Sequence, residues 1–188
     1  MAVRISSALV AALILVAACG QNSAETRKVQ PPNLAAIADD QVEYAILDYV
    51  HAKMDGHYDQ EAEFLATLPP GIRALYVTSG VEDEVNNGGF NQYYWNSTGK
   101  FANEAVAAFE FFSAQKHAEL MREANRIHAA EQAEIEKFKE QGTLQAFSDS
   151  YKVSKLGPLD ERFYGIDENL SALRVAKIRA DPASFAMQ

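Results

Sequence analysis

Cysteine is almost absent from this sequence of 188 residues, in which Cys19 is the only one. A lone cysteine cannot form a disulfide within its own chain. The folded part must therefore be held together by its core alone. Nearly half of the residues are hydrophobic, 48%, and 10% are aromatic, which is enough apolar material for such a core.

Basic residues are fewer than acidic ones, with 17 Lys and Arg against 26 Asp and Glu and a net charge of −9. A nucleic-acid ligand requires a basic patch that neutralises phosphates. The composition therefore disfavours direct binding of nucleic acid, and it equally disfavours attachment of the protein surface to anionic lipid. The simplest explanation of the acidity is a solvated surface that keeps the domain soluble.

Metal-binding and catalytic motifs are also missing. None of the histidines, His51, His57, His117 and His128, stands at an established metal-ligand spacing from another ligand. The sequence has no G-x-S-x-G motif, no P-loop and no Gly-rich dinucleotide turn. The acidic cluster at 82–84 lacks the alternating oxygen ligands and the distal glutamate of a calcium loop. We therefore expect no metal and no cofactor.

An apolar run from Ile5 to Ala18 follows a single positive charge at Arg4. It is shorter than the about 20 residues of a transmembrane helix, and it is typical of a secretory signal. Its end, Val-Ala-Ala-Cys19-Gly20, resembles the lipobox of bacterial lipoproteins. The resemblance implies a diacylglycerol on the Cys19 sulfur, cleavage before Cys19, and a fatty acid such as palmitate on the new amino group. The alternative is an ordinary signal peptide cut near Ala18.

The predicted organisation is a lipoprotein signal peptide at 1–18, a lipidated flexible tether at 19–33 and one folded domain at 34–188. Lipidation would consume Cys19 and so excludes a cysteine nucleophile. Residues 20–32 of the tether are polar and end in two prolines, and about 13 residues of such coil reach roughly 20 Å. Gly20, where an Asp would suggest retention in the inner membrane, favours an outer-membrane anchor facing the periplasm if the bacterium is Gram-negative. Loss of Arg4 leaves a mature net charge of −10.

Apolar residues recur with a helical period nearly throughout, which predicts a single compact all-α domain of several helices. The clearest apolar stripe follows Asp39 and Asp40 in the sequence, and these two negative charges are favourable at the start of a helix. Its members are Val42, Ile46, Tyr49 and Val50. The other expected boundaries are a short helix over 60–68, a helix starting at Pro70, a stop at 86–89, a long helix from about Phe101, a break at 157–158 and a last helix over 167–180.

The unusual segment is 84–96, in which two adjacent glycines precede four aromatic residues interleaved with amides. One interpretation is a polar and aromatic recognition surface around Glu84, Asn87, Gln92 and Trp95. The other is a corner between helices, in which aromatic side chains at i, i+3 and i+4 fill the core. These side chains are Phe90, Tyr93 and Tyr94. The spacing favours the corner.

Three motifs of this sequence resemble a family of small helical bacterial domains, once catalogued as a domain of unknown function and now named after a DNA-mimic protein. They are Glu84-x-x-Asn87-Gly88-Gly89-Phe90-x-Gln92-Tyr93-Tyr94-x-Asn96, Leu159-Asp160-x-x-Phe163-Tyr164 and Asp181-Pro182-x-x-Phe185. The resemblance extends from about Leu34 onward. It implies an α-helical fold, no cofactor, and an acidic surface that imitates duplex phosphate and occupies a DNA-binding protein. It supplies no catalytic residues.

Three functional hypotheses follow. The first is a non-enzymatic, membrane-anchored module that binds a protein partner, with its oligomeric state open. Its acidic faces would be Asp39, Asp40 and Glu43, and Glu131, Glu134 and Glu140. Its other candidate binding residues are Glu84, Asn87, Gly88, Gly89, Phe90, Gln92, Tyr93, Trp95 and Asp160. The second is a hydrolase that uses Glu84 as acid or base in a closed aromatic pocket. The third is retained DNA mimicry.

Overall fold

The structure, a computed structural model, describes residues 29–187. The predicted signal peptide and the predicted lipidation site at Cys19 lie outside the described residues. Within them the chain forms eight α-helices and no strand, which confirms the predicted all-α domain. The helices are α1 Asp39–Met54, α2 Glu61–Ala66, α3 Pro70–Trp95, α4 Ala102–Phe111, α5 Gln115–Lys139, α6 Leu144–Val153, α7 Gly157–Tyr164 and α8 Leu170–Ala180.

The centre of the fold is α3, which packs against α1, α4, α5, α6 and α7. Its first half is apolar on nearly every side, and residues from Ile72 to Ser79 are buried apart from Arg73. A helix that is hydrophobic all round belongs in the interior. Pro70 occupies the first turn, as predicted, because a missing N–H costs nothing there.

The helical stripe of α1 is buried as predicted, with Asp39 and Asp40 in the first turn. The last helix begins slightly later than expected, at Leu170, because the side chain of Asn169 accepts a hydrogen bond from Ala172 N and caps it. It ends at Ala180, before Asp181 and Pro182, as the sequence predicts.

Two expected breaks differ in form. At 86–89 the helix is interrupted as predicted, since Gly88 (φ −156°, ψ 23°) and Gly89 (φ 74°, ψ −179°) are non-helical, but a second helical segment follows directly, so that α3 is two segments joined by a kink. At 157–158 the chain was expected to break, whereas Gly157 and Pro158 begin α7. The interruption lies just before them, because proline is tolerated in a first helical turn.

The end of the predicted tether contacts the domain. Val29 is partly buried against the core, and Pro31 and Pro32 line a shallow groove beside Phe185. The ring of Phe185 lies against Gly71 in the first turn of α3. Residues 29–33 therefore lie near the N-terminal end of α3. Within residues 29–187, no helix combines the length and the apolar character needed to cross a bilayer.

Candidate functional site

The kink in α3 is held by side chains from two other helices. Gly89 adopts φ +74°, and the space that a Cβ would occupy there is filled by the carboxylate of Asp160. Phe90 N donates to Asp160 Oδ1 at 2.8 Å. The hydroxyls of Tyr151 and Tyr164 donate to Gly88 O and Val85 O, each at 2.8 Å. The kink frees backbone groups from the helix, and α6 and α7 supply their partners.

The inner side of the kink is a solid aromatic plug, which confirms the corner interpretation. Phe90, Tyr93 and Tyr94 are all buried. Phe90 packs edge-on against Phe163, and Tyr94 stacks on His128 with ring centroids 4.0 Å apart. Three of the candidate binding residues, Gly89, Phe90 and Tyr93, therefore lie in the core and not at a recognition surface. The cavity that Glu84 lines contains the rings of Tyr76 and His51 and none of the three aromatic plug residues.

The outer side of the kink is polar. The carboxylate of Glu84 accepts hydrogen bonds from Gln92 Nε2 at 2.7 Å, Asn96 Nδ2 at 2.8 Å and Thr98 Oγ1 at 2.9 Å. Beside these amides the half-buried ring of Trp95 borders an open groove of about 650 Å³, the Trp95 groove. It is lined by Asn87, Gln92, Trp95, Asn96, Lys139, Gly142, Thr143, Leu144 and Phe147.

A second groove, the acidic groove, lies between α1 and α3. It consists of two adjoining cavities of about 290 and 180 Å³ that share Leu47, Ser79 and Asp83. Five carboxylates line it: Asp40, Glu43, Glu82, Asp83 and Glu84. Within residues 29–187, Arg174 is the one lysine or arginine that lines it.

The positive charge of Arg174 is already engaged. The residue is 3% exposed, its Nε donates to Thr78 Oγ1 at 3.2 Å, and its Nη1 donates to Glu82 at 2.6 Å and Glu43 at 3.4 Å. Its ion pairs are with Glu43 and Glu82, so Asp40, Asp83 and Glu84 are not direct partners of this guanidinium. Burial, and then repulsion from Glu82, raises the pKa of Asp83 above its usual value.

Arg174 is the residue that the sequence hypotheses missed. It stands four residues after Leu170 and four before Ile178, both buried, so the helical period places it on the inward face. An arginine at such a position needs a buried carboxylate partner. That signal was available in the sequence.

The DMP19-like family model matches residues 66–181, more than half of the chain. The chain belongs to the DMP19-like protein family. The match spans α3 to α8 and includes the kink and both sides of it. It begins at Ala66, so α1, which contributes Asp40 and Glu43 to the acidic groove, lies outside the DMP19-like segment. Searches of curated proteins and of solved structures found no match.

The two acidic faces expected from the sequence are only partly exposed. Glu131, in the DMP19-like segment, is 8% exposed and accepts hydrogen bonds from Ser154 Oγ at 3.1 Å and Lys155 N at 2.9 Å. It therefore holds the turn between α6 and α7 and is not part of an acidic surface. Glu43 points into the acidic groove, and Asp39 pairs with Arg179 at 2.8 Å. Asp40, Glu134 and Glu140 are exposed.

Asp160, in the DMP19-like segment, is partly buried, and its carboxylate holds the kink by accepting a hydrogen bond from Phe90 N. Burial raises the pKa of its carboxyl group, while the hydrogen bond from Phe90 N opposes this. Glu84, Gln92 and Gly88 are partly exposed, and Asn87 is exposed. Of the candidate binding residues, the structure thus brings Asn87, Gln92 and Trp95 together. No cluster of three or more potential metal ligands occurs within residues 29–187.

Proposed function

We propose that this protein is a membrane-anchored envelope lipoprotein whose DMP19-like domain binds another protein and catalyses no reaction. The binding site is the acidic groove, and the part of the partner that enters it is a lysine or arginine side chain. The observation that carries the proposal is the charge imbalance of the groove. Five carboxylates line it, and its one arginine is buried between two of them.

The energetic basis is the confinement of like charges. Carboxylates that stand close together at a partly buried surface repel one another and lose hydration. A basic side chain that enters the groove restores both charge balance and hydrogen bonds, and hydrogen bonds to charged groups contribute about 1.5–3 kcal/mol each. The negative electrostatic potential of these carboxylates also accelerates the association with a basic partner surface. Tyr44, 67% exposed at the rim, adds an aromatic face for the cation.

The location in the envelope rests on the sequence. The apolar run, the lipobox-like end and the single cysteine at its place together support export and lipidation of Cys19. With residues 29–33 near the N-terminal end of α3, the folded domain would stand close to the bilayer.

A second candidate is DNA mimicry, in which the partner is a DNA-binding protein and the carboxylates take the place of phosphates. Membership of the DMP19-like family favours it. So does a run of exposed carboxylates at the end of α5, at Glu134, Glu136 and Glu140, although Lys137 and Lys139 interrupt it. The two candidates differ in one respect: only a DNA mimic competes with duplex DNA for its partner.

The test begins in intact cells with a photo-crosslinking amino acid in place of Tyr44, followed by detergent extraction and mass spectrometry of the adduct. Cys19→Ser is the unanchored control, and we expect it to appear in the soluble fraction. The purified partner is then titrated against the domain at several salt concentrations. Adding duplex DNA to the same titration distinguishes mimicry from other docking.

The decisive comparison is between two double variants of equal charge. Asp40→Asn with Asp83→Asn removes two of the five negative charges of the acidic groove, and we expect a loss of affinity of about tenfold or more. Asp59→Asn with Glu63→Gln removes the same charge from exposed positions that do not line the groove, and affinity should stay within about twofold. Equal effects of the two variants would overturn the proposal.

A further inference from the structure

The Trp95 groove has a chemistry different from that of the acidic groove. Within residues 29–187 no carboxylate lines it, although the chain carries a net charge of −9. Its single charged residue is Lys139, whose ammonium donates to Tyr94 O at 3.0 Å and lies over the ring of Trp95. The rest of the lining is amide, hydroxyl and apolar. Its volume of about 650 Å³ lies in the range of small-molecule sites.

From this lining we propose that the Trp95 groove binds an uncharged oligosaccharide. This site is separate from the acidic groove, and it does not depend on protein docking there. A sugar ring presents an apolar face of C–H groups and a rim of hydroxyls, each of which both donates and accepts a hydrogen bond. A ligand of that kind requires an apolar platform beside neutral groups that also donate and accept.

The platform is formed by α3 and α6 together. The rings of Trp95 and Phe147 lie 5.0 Å apart at 58°, and Leu144 stands 86% exposed at the rim. Trp95 is only half-buried, so its apolar surface remains in reach of a ligand. Large aromatic rings with a polar edge suit a surface that is apolar on one side and wet on the other.

The hydrogen-bonding groups are neutral amides and a hydroxyl. Asn87 and Asn96 are exposed, and a carboxamide carries two donors and an acceptor. The Thr143 hydroxyl accepts from Ala146 N at the start of α6, which leaves its own proton to be donated. Such groups match hydroxyls better than they match a cation, which would find no carboxylate in the lining, and the ammonium of Lys139 already donates to Tyr94 O.

Several of these groups are held in place before any ligand arrives. Glu84 binds the side-chain nitrogens of both Gln92 and Asn96. The oxygen of Gln92 lies against Gly88, in the space that a Cβ would take. Fixing side chains in advance reduces the entropy lost on binding. Glu84 is thus a positioning residue for this groove.

The Trp95 groove lies far from the end of the predicted tether. Residues 29–33 lie near the N-terminal end of α3, and Trp95 ends that helix 24 residues after Gly71. At 1.5 Å per residue this is about 35 Å, shortened somewhat by the kink. The Trp95 groove therefore lies at the end of α3 opposite to the end that residues 29–33 contact.

Because Trp95 is the only tryptophan in the chain, its fluorescence reports on this groove alone. The test titrates the mature chain with three neutral oligosaccharides: the trimers of N-acetylglucosamine, of β-1,4-glucose and of α-1,4-glucose. We expect at least one to give a saturable change in Trp95 emission that high salt leaves intact. Asn96→Ala should weaken it about fivefold or more, while Asn103→Ala, an exposed asparagine that does not line the groove, should leave it unchanged.

Three outcomes would overturn the proposal. One is the absence of a saturable change with all three sugars at millimolar concentration. Another is an emission shift that depends on protein concentration without sugar, because that would show a second copy in the groove. The third is an equal loss of affinity for the sugar in Asn96→Ala and Asn103→Ala. Asp40→Asn with Asp83→Asn should not alter sugar binding, so a failure here is distinct from a failure of the docking proposal.

Discussion

The two grooves differ in charge although α3 forms a wall of both. Before the kink, Glu82 and Asp83 face α1 and build the acidic groove; after it, Gln92, Trp95 and Asn96 face α6 and build the Trp95 groove. Glu84 belongs to both sides, lining the acidic groove and holding the amides of the other. A net charge of −9 therefore describes neither surface. The distribution of charge about the kink decides which class of ligand each can take.

The kink is what separates the two grooves, so its removal should have the largest effect. Gly89→Ala places a Cβ at φ +74° and ψ −179°, a conformation essentially restricted to glycine, and displaces the Asp160 carboxylate from Phe90 N. We expect a loss of about 4 kcal/mol in the free energy of unfolding. Urea unfolding followed by circular dichroism measures it.

The matched control for Gly89→Ala is Gly142→Ala. Gly142 also has a positive φ, +62°, but a Cβ there would meet no atom within 4 Å. Gly142→Ala should lower the free energy of unfolding by about 1 kcal/mol, the ordinary penalty for a non-glycine residue in the left-handed conformation. If the two variants lost equal stability, the contact with Asp160 would not be what shapes the kink.

The second largest effect should come from removing the single arginine of the acidic groove. Arg174→Met leaves Glu43 and Glu82 without their shared cation in a partly buried place. We expect a loss of about 2–3 kcal/mol in the free energy of unfolding, because removing one partner of a buried ion pair leaves the other charge buried and unpaired. Adding Glu82→Gln should restore part of it. The control is Arg122→Met, whose pair with Glu110 is exposed and should contribute less than about 1 kcal/mol.

The contrast between the grooves also explains what the sequence could predict. Periodicity identified the buried stripe of α1 and the aromatic plug, because both follow from spacing within one helix. The contacts that hold the kink and the turn between α6 and α7 could not be found that way, since Asp160 stands 70 residues from Phe90, at the kink, and Glu131 stands 24 from Lys155, at the turn. Whether a carboxylate faces solvent or caps a distant turn depends on tertiary packing. The grooves likewise combine residues from distant helices.

A smaller effect should follow from Glu84→Ala, which sharpens the comparison because Glu84 serves both grooves. Gln92, Asn96 and Thr98 lose their common acceptor, but they are only partly buried and water can replace it. We expect a loss of about 1–2 kcal/mol in unfolding free energy. Emission of Trp95 should change as well, since the amides beside it are released. An unchanged emission spectrum would show that Glu84 does not order the Trp95 groove.

The smallest effect on the free energy of unfolding is expected from Asp83→Asn, and it is the only one of these substitutions expected to increase stability. Burial and the neighbouring Glu82 raise the pKa of Asp83, so its ionised form is less favourable in the folded state than in the unfolded state. The cost is present at pH 7, where the group is ionised in both states, and it vanishes below the ordinary aspartate pKa of about 4.

Because Asp83 retains solvent contact, the gain at pH 7 should not exceed about 0.5 kcal/mol. Urea unfolding of Asp83→Asn and the parent chain at pH 7 and pH 3.5 measures it, with Asp59→Asn as the control for the loss of one exposed charge. A gain that persisted at pH 3.5 would come from packing rather than from charge. A loss at pH 7 would mean that the ionised Asp83 is already neutralised, and the acidic groove would then lack the imbalance that makes it a site for a basic side chain.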